Sequence, residues 1–540
     1  MASHFKWYPA SEEVVIPWNA RYSFPSQANK AEKMTPRIPP KNGSAFTPGQ
    51  VIRLEFPAQG YVNPLNTTLE FDVVLYGYAG SGVTQQTRFQ NNIQSIFQRV
   101  RLLYGATPLE DIINYNVIVR CLTEWTGTNT TGTMDQMSVA DGVGGSIFST
   151  DGLDPPQFGL VNVRQRFIQG ISATSGVTPA NFSGGTGFGR IPQYGAYPGG
   201  CPAPITNQPW SCRRYQVNLA LGMFTQDKLI PTKFMASQLA IELTLDQAAN
   251  CIYSCPNSLT GTTTANPSYA VGNVNLIPEI LQFDASYDAM FLQGLRDGGV
   301  PIKFSSWHTF IFSSQSAASL QLLIQERSRS VKSLYMVQRE PIPSFALDMH
   351  ATQFDTANTS DSCMQTYQYR VGGRYFPAAP VQLSVALGVA ANTGGAEAYV
   401  ELAKALNTVG DYRLSSSINA ARFGVKAQAG YRLVTDYSNA ISTYSQSGAI
   451  GTSLQWESST NAFCSTSGSA NFGAAVSLET SNGVEISGLN AEEQSDIALL
   501  VNWLQPQVTG GDLKPSAIEV YSYYDAMIVL RENNVLELIQ

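Results

Sequence analysis

The chain has 540 residues, of which 14% are charged and 11% aromatic, and its formal net charge is -7. Low charge with abundant Gly, Tyr and Phe excludes a helical bundle and favours short strands joined by long neutral loops. The acidic balance also excludes a protein whose main surface coats nucleic acid, since phosphate binding needs clustered Lys and Arg. The length accommodates two large all-β domains.

The first segment, residues 1–46, is predicted to be an extended arm. Six prolines interrupt it, and proline blocks both helical and central-strand hydrogen bonding. Lys and Arg outnumber Glu there, so a modestly basic arm precedes an acidic body. Two interpretations stay open at this point: a disordered terminus, or a strap that binds a neighbouring molecule.

Alternation of apolar and polar residues with a period of two predicts strands in both halves of the chain. In the first half the predicted strands are residues 69–75, 215–223 and 239–245. In the second half they are residues 302–312, 320–324, 331–337, 518–530 and 535–539. The last two are predicted to form a hairpin through Glu532, Asn533 and Asn534, because Asn tolerates the positive φ of tight strand connections.

Three segments have apolar residues at spacings of three and four, which predicts helices at 113–125, 287–295 and 399–409. Gly298 and Gly410 are plausible stops for the second and third. Such stripes are far more often core packing than a cofactor site. We therefore assign them no chemistry.

Four long stretches rich in Gly, Ser, Thr, Asn and Pro are predicted to be loops, at residues 126–159, 172–211, 250–274 and 436–473. Loops of this length inside compact domains are usually functional or disordered. In an all-β scaffold they project from the ends of strands. Their uncharged polar character suits packing against neighbouring subunits or an outward face better than binding an ionic ligand.

A short sequence similarity between two segments indicates that the chain has two halves. VRLLY at 100–104 is echoed by VKSLY at 331–335, and we expect these segments to be equivalent strands of two similar halves. The predicted helix near Tyr287 and the step at Gly298-Gly299 lie between the halves. The predicted domains are therefore an arm at 1–46, units at 47–284 and 301–540, and a connecting helix and linker at 285–300.

Catalytic motifs are missing from the sequence. It has no Gly-rich loop ending in Gly-Lys-Ser/Thr, no Gly-x-Ser-x-Gly elbow and no His-Glu-x-x-His helix. The glycine cluster at 184–189 has the wrong spacing for a dinucleotide turn and is interpreted as a plain loop. The carboxylate pairs Glu12-Glu13 and Glu492-Glu493 are interpreted as solvated. We predict no catalytic and no cofactor-binding residue.

Metal and disulfide chemistry are not expected either. The seven cysteines are odd in number and scattered, which favours free thiols and a reducing compartment. Cys251 and Cys255 resemble half a zinc site, but no second pair follows, and the three histidines are His4, His308 and His350. No apolar run is long enough to span a bilayer and the first residues lack the layout of a secretory signal, so we expect a soluble protein.

Three segments together resemble the double jelly-roll major capsid proteins, most closely those of polinton-like viruses and their virophage relatives. They are NPLNTTLEFDVVL at 63–75, NNIQSIFQRVRLLYGATPLEDIINYNVIV at 91–119 and LALGMFTQDKLIPTKFMASQLAIELTL at 219–245. The resemblance covers mainly the first half of the chain. It rests on long strings of strand and helix in a shared order, not on a short catalytic signature.

The resemblance implies an all-β protein of two fused eight-stranded jelly rolls with a few short helices and long loops. It implies a major capsid protein, not an enzyme, whose homotrimers form pseudo-hexameric capsomers in the icosahedral shell of a double-stranded DNA virus. Its expected location is the virion. Its expected partners are neighbouring capsomers, and penton and minor capsid proteins through the arm and the loops at 126–159, 172–211 and 436–473. No nucleic-acid site is implied, and contact with a membrane is left open.

Two alternatives remain at this stage. A carbohydrate-binding β-sandwich protein would have the same Trp, Tyr and polar loops, but it would usually carry a signal sequence and paired cysteines. A minor capsid or spike protein would have the same fold as the major capsid protein. The predicted arm and closing hairpin favour the major shell protein over that relative.

Overall fold

The computed structural model describes fifteen segments, which contain the strands and helices given below. They are residues 31–76, 85–89, 93–126, 210–256, 268–312, 319–339, 364–382, 395–407, 431–433, 456–458, 473–479, 488–492, 496–503, 517–531 and 536–540. No helix in these segments is long and apolar enough to cross a membrane.

The first half of the chain forms eleven strands in these segments. They are β1 Ala31–Met34, β2 Ala45–Phe46, β3 Val51–Glu55, β4 Tyr61–Tyr76, β5 Gln85–Phe89, β6 Phe97–Tyr104, β7 Thr107–Ile113, β8 Trp210–Val217, β9 Leu239–Leu245, β10 Ile252–Pro256 and β11 Ser268–Phe283. One sheet has the order β1-β11-β4-β8, with β2 also pairing with β11, and a second has the order β3-β9-β6-β7. Strands β5 and β10 form a separate antiparallel ribbon.

The second half repeats this plan. Its strands are β12 Val300–Phe312, β13 Ser319–Ile324, β14 Val331–Arg339, β15 Met364–Val371, β16 Arg374–Gln382, β17 Tyr431–Leu433, β18 Trp456–Ser458, β19 Ala474–Ser477, β20 Ile497–Trp503, β21 Ala517–Leu530 and β22 Leu536–Ile539. The two main sheets have the orders β12-β21-β14-β19 and β13-β20-β15-β16. β22 pairs antiparallel with β21, which confirms the predicted closing hairpin.

Both units have one strand order. The count takes β1 and β2 together as one position and leaves out the closing strand β22 and the strands of the two-stranded ribbons, β5, β10, β17 and β18. Counted in this way along the chain, each unit places its strands in the orders 1-8-3-6 and 2-7-4-5. All pairings in these sheets are antiparallel. A jelly roll is a pair of four-stranded antiparallel sheets with these two strand orders, in which the chain passes repeatedly from one sheet to the other. The fold is therefore two fused jelly rolls, as predicted.

Five α-helices lie between the described strands. They are α1 Tyr115–Thr126, α2 Gly222–Thr225, α3 Ala248–Cys251, α4 Ala285–Arg296 and α5 Gly395–Ala405. α1 and α5 each follow the fifth strand of their unit, so the helices repeat with the sheets. α4 connects the two units. The three longer helices occur where the sequence predicts them.

The core follows from alternation along the strands. In β4, Leu69, Phe71 and Val73 are at most 2% exposed and face other apolar residues, while Glu70 and Asp72 take the opposite side. Apolar residues of both units belong to one continuous buried cluster. Burial on this scale supplies the main favourable free energy for folding.

The structure corrects two strand predictions. The alternation at 215–223 does not continue as one strand, because β8 ends at Val217 and residues 222–225 turn into α2. The echo at 100–104 and 331–335 does not mark equivalent strands. The first segment lies in β6, the fourth strand of its unit, whereas the second begins β14, the third strand of the other. Alternation in buried strands is common enough for four matching positions to recur by chance.

Two predicted loops and the predicted arm also contain strands. β10 and the start of β11 lie within 250–274, and β18 lies within 436–473. Residues 31–34 and 45–46 of the arm pair with β11 and supply the first strand position of the first jelly roll. Residues 1–30, and most of 126–159, 172–211 and 436–473, lie outside the described residues. The sequence does not predict these strands, because they are short or lie next to prolines and so show no clear alternation of apolar and polar residues.

Candidate assembly surfaces and the seam between the two units

The two jelly rolls meet where β7 of the first lies beside β12 of the second. Here the Thr309 hydroxyl donates to the Ile113 carbonyl oxygen at 2.8 Å. Both strands are at an edge of their sheets. The region around this contact, which includes α1, α2 and part of β21, is called the seam below. It decides how the two units are oriented.

Glu110 of β7 is the central polar group of the seam and is 1% exposed. Its carboxylate accepts hydrogen bonds from the backbone N–H groups of Gly222 and Met223 at 2.7 and 2.8 Å, and from the Ser306 hydroxyl of β12 at 2.7 Å. Burial raises the pKa of the Glu110 carboxyl, although the three hydrogen bonds oppose this. One side chain thus ties β7 and α2 to the second unit.

Gly222 permits this close approach. A Cβ atom at Gly222 would lie 1.9 Å from the Ser305 carbonyl oxygen and 2.7 Å from its carbonyl carbon. Those distances are far below van der Waals contact, and the neighbouring atoms belong to the backbone of β12. A side chain of any size at this position would therefore separate the units.

A second buried carboxylate lies at the end of the seam. Glu519 of β21 is fully buried and accepts from the Asn114 amide nitrogen at 2.6 Å and from the Tyr521 hydroxyl at 2.5 Å. Asn114 has a φ of 52°, in the left-handed region that Asn tolerates. This turn between β7 and α1 points an amide of the first unit at the second.

α1 contributes the apolar part of the seam. Trp125, at its end, is fully buried and stacks on Tyr335 of β14, with ring centroids 5.5 Å apart. A Cβ atom at Gly473 would lie 2.5 Å from Trp125 Cζ2, so the second unit leaves room for this indole. The apolar stripe that predicts α1 therefore packs across two domains.

Inside the second unit, Lys332 of β14 lies between two carboxylates. Its Nζ is 3.0 Å from Asp525 Oδ1 and 3.7 Å from Glu479 Oε1. The Ser305 and Ser330 hydroxyls donate to the two oxygens of Asp525, each at 2.8 Å. Partial burial lowers the pKa of the Lys332 ammonium, but the contact with Asp525 outweighs this, and the pKa is raised.

His308 is the one histidine within the described residues, and it pairs with a buried carboxylate. Its Nδ1 is 3.2 Å from both oxygens of Glu326, and its ring stacks on Tyr524 at 4.0 Å. Glu326 also accepts from the Arg327 and Ser328 backbone N–H groups and the Ser328 hydroxyl. Burial alone would raise the pKa of Glu326, but these partners hold it at about 2. Glu326 is thus a buried carboxylate whose oxygens are occupied by the His308 ring and by neighbouring donors of its own loop.

The outward face of the first unit carries a row of alternating charge across four strands. Arg53, Glu242, Arg101 and Asp111 lie directly opposite one another on β3, β9, β6 and β7. Glu242 lies 3.0 Å from Arg53 Nη1 and 2.8 Å from Arg101 Nη2. Opposite charges in cross-strand register stabilise the pairing of neighbouring strands.

The same four strand positions in the second unit carry an almost uncharged row. Leu323, Ala498, Arg370 and Tyr375 are cross-strand neighbours on β13, β20, β15 and β16. Leu323 is 58% exposed and Tyr375 is 47% exposed, and Arg370 pairs with Asp496 at 2.6 Å. This row therefore has one ion pair and two large exposed side chains, Leu323 and Tyr375, where the row of the first unit is charged on all four strands.

The residues weighed for chemistry in the sequence do not converge. Within the described segments no group of three or more His, Cys, Asp or Glu side chains could hold a metal ion. Cys251 is a buried free thiol at the end of α3, and burial raises its pKa well above the ordinary value. Glu492 pairs with exposed Arg329. His4, His350 and the glycines at 184–189 lie outside the described residues.

Sequence reasoning missed Glu110, Glu519 and Gly222, since no local pattern marks a contact between domains.

No family model and no curated protein matches the chain. Solved structures do match. A chain of the Sputnik virophage, from its cryo-electron microscopy structure, aligns over 98% of this chain and 92% of its own, with 10% identity and a TM-score of 0.52. The mavirus major capsid protein aligns over 98% and 96%, with 10% identity and a TM-score of 0.45. The Faustovirus major capsid protein aligns over 94% and 92%, with 9% identity and a TM-score of 0.47. The duplicated strand order and the likeness to the Sputnik chain together identify the fold as a double jelly roll.

Proposed function

We propose that the protein is a major capsid protein, which assembles as a pseudo-hexameric homotrimer into the icosahedral shell of a double-stranded DNA virus. The observation that carries the proposal is the joining of two jelly rolls of identical strand order through a buried seam. Three such subunits present six similar units around one axis, which is a nearly hexagonal tile. The likeness to a chain of the Sputnik virophage over almost the whole length supports the same role.

The surfaces of the two units support an assembly role. The exposed side chains of Leu323 and Tyr375 in the second unit would be covered by another subunit, since this removes their apolar surface from water. Permanent interfaces of such assemblies commonly bury more than about 2,000 Å². Loops 126–159, 172–211 and 436–473 and the arm would contact neighbouring capsomers, penton and minor capsid proteins. The proposed location is the virion, and the proposal includes no catalysis, cofactor or metal.

The proposal also divides the chain. Two units at 47–284 and 301–540 are joined by a connector at 285–300, and the arm at 1–46 precedes them. Because residues 31–34 and 45–46 pair with β11 and belong to the first unit, the part of the arm proposed to contact other molecules is residues 1–30. Deletion of residues 1–30 is expected to leave trimers intact and to impair closed shells.

The test is the mass of the purified full-length protein by light scattering, followed by negative-stain electron microscopy of the same sample. A particle of three times the 58.5 kDa subunit mass with a hexagonal outline is expected. A stable monomer would contradict the proposal. A monomer that bound glycans on an array would favour the carbohydrate-binding alternative.

A further inference from the structure

Lys332 is the extra residue of a β-bulge in the second unit. Val331 is opposite Tyr524 and Ser333 is opposite Tyr523, so β21 has no residue opposite Lys332. A bulge redirects the side chain of its extra residue, and bulges are common next to reactive sites. The Lys332 side chain is therefore placed outside the regular alternation of β14.

Asp525, on β21, is the carboxylate that this side chain meets. Lys332 Nζ lies 3.0 Å from Asp525 Oδ1. The Ser305 hydroxyl donates to Oδ1 and the Ser330 hydroxyl donates to Oδ2, each at 2.8 Å. Donors on both oxygens stabilise the negative charge that develops when a nucleophile adds to the carboxyl carbon. The Asp525 carboxyl is thus held as an electrophile within reach of an amine.

A second carboxylate, that of Glu479, lies near the same amine. Its Oε1 is 3.7 Å from Lys332 Nζ, and the Asn407 amide nitrogen donates to its Oε2 at 2.9 Å. A carboxylate at this distance can take a proton from the amine after a small movement of its side chain. The hydrogen bond from Asn407 holds Glu479 in that position.

The three groups lie in a site that is poor in water. The side chains of Lys332, Asp525 and Glu479 are 15%, 7% and 3% exposed. Reacting groups that are fixed at contact distance behave as if they were present at very high concentration. Burial of charged groups is also costly, and conversion of an ion pair into a neutral amide removes that cost. The site therefore favours condensation of the amine with the carboxyl group.

We propose that Lys332 and Asp525 condense into an amide, which joins β14 to β21 by a covalent bond between Nζ and Cγ. The Lys332 ammonium first passes one proton to Asp525, so that an amine faces a carboxylic acid. The amine attacks the carboxyl carbon, and Glu479 takes a proton from the nitrogen. Glu479 then delivers this proton to the departing hydroxyl group, which leaves as water. The reaction consumes no other reagent and occurs once in each chain, so it is a self-modification without turnover.

The ion pair is the resting form of the site, because the contact with Asp525 raises the pKa of Lys332. Attack on the carboxyl carbon therefore follows a proton transfer within the pair, and the amide is expected to form slowly after folding. The bond would lie next to Ser305, whose carbonyl oxygen borders Gly222 in the seam. It would fasten the second unit on the side that meets the first.

The test is the mass of the full-length protein, measured on the denatured chain before and after prolonged incubation of the folded protein. We expect the mass to fall below that of the sequence by one water molecule. Tryptic digestion should yield a branched peptide in which Lys332 is joined to Asp525. Trypsin should not cleave after Lys332 in this product, since the amide removes the charge that trypsin recognises.

Two variants distinguish the covalent bond from the ion pair. Lys332→Arg keeps a cation beside Asp525, but a guanidinium stays protonated and is not a nucleophile, so we expect the full sequence mass. Glu479→Gln keeps both reacting groups and removes the proton acceptor, and it should slow the loss of water at least about 100-fold. Lys404→Arg is the matched control, because Lys404 is half-exposed in its pair with Glu401. That variant should lose water like the wild type.

A wild-type protein that kept its full sequence mass after incubation would overturn the inference, and the site would then be an ion pair only. Loss of water that mapped to other residues, or that persisted in Lys332→Arg, would also overturn it. The wild-type result decides the question even if a variant unfolds, which its melting temperature would show.

This readout does not depend on the proposed capsid role. The oligomeric mass of each sample is measured alongside the mass of the chain. A monomer that carried the amide would contradict the capsid proposal and leave this inference standing. A trimer of chains with the full sequence mass would do the reverse.

Discussion

The outward rows of the two jelly rolls occupy the same strand positions and have opposite chemistry. The first unit places Arg53, Glu242, Arg101 and Asp111 side by side, and the second places Leu323, Ala498, Arg370 and Tyr375 side by side on the corresponding strands, with Leu323 and Tyr375 exposed and Ala498 buried. The backbone topology is the same in both. The strand order therefore does not decide which side chains lie on the outer face. Residues there can differ between the two units because they do not contribute to the core.

The difference separates stability from association. In the first unit, ion pairs across strands stabilise the pairing of neighbouring strands and leave charged groups at the surface. Apolar groups such as Leu323 gain little within the folded subunit and gain more when another molecule covers them. In the proposed assembly, Leu323 would be covered by another subunit, whereas the ion pairs of the first unit stabilise the subunit by itself.

Gly222→Ala is expected to have the largest effect, because it acts on the seam that joins the two faces. The added Cβ would lie 1.9 Å from the Ser305 carbonyl oxygen, in the backbone of the other unit. We expect a loss of more than about 3 kcal/mol in the free energy of unfolding, at the upper end for overpacking. Urea denaturation measures it.

Gly373→Ala is the matched control. A Cβ at Gly373 meets nothing within 4 Å, and its backbone does not have a positive φ. This variant is expected to unfold like the wild type. An equal loss in the free energy of unfolding in both glycine variants would show that the backbones at Gly222 and Ser305 are not in tight contact.

Glu326→Gln tests how the buried carboxylate of Glu326 makes the stability of the second unit depend on pH. The pKa of Glu326 is about 2 in the folded protein against an ordinary 4.5. A lowered folded pKa stabilises the protein above the ordinary value, and the stabilisation is lost as pH falls from 4.5 to 2. We expect the variant to be less stable on the order of 3 kcal/mol at pH 7, with the difference vanishing near pH 2.

The pH series is measured by denaturant unfolding at each pH where the wild type folds. Glu492→Gln is its control, because the Glu492 side chain is 52% exposed in its pair with Arg329. That variant should differ from the wild type by at most about 0.5 kcal/mol. A constant difference in the free energy of unfolding between Glu326→Gln and the wild type from pH 7 to pH 3 would contradict the lowered pKa of Glu326.

Glu242→Gln tests the charged row of the first unit. The carboxylate bridges Arg53 and Arg101, which are about one third exposed. We expect a loss of about 1 kcal/mol at low ionic strength and less in 1 M salt, because exposed ion pairs are weak and screened. Asp227→Asn, in an exposed 3.5 Å pair with Lys228, should change nothing measurable. A loss that did not respond to salt would point to packing instead of charge.

Leu323→Glu is expected to have the smallest effect on folding and a specific effect on association. Its side chain is 58% exposed, so the free energy of unfolding should change by less than about 0.5 kcal/mol. The fraction of trimer in light scattering should fall. Val51→Glu, 38% exposed on the equivalent strand of the first unit, should leave the trimer intact. Loss of trimer in both variants would remove the distinction between the two faces.

Much of the fold was predictable because its signals are local. Period-two alternation marked β9, β12 and β14, and spacings of three and four marked α1, α4 and α5. β1 and β2 were not found, because four or two residues between prolines carry no alternation. The turn into α2 was missed since Met223 continues an apolar alternation, while the cause, the Glu110 carboxylate, is 112 residues away along the chain.

The sequence by itself determined the all-β class, the three longer helices and the closing hairpin, because each follows from the order of neighbouring residues. Its resemblance to a capsid family supplied the expectation of two jelly rolls. Only the tertiary structure decided which strands are equivalent, how the units are joined, and where Glu110, Glu519 and Gly222 meet their partners. These contacts link residues far apart in the chain, so no periodicity or motif within either segment records them.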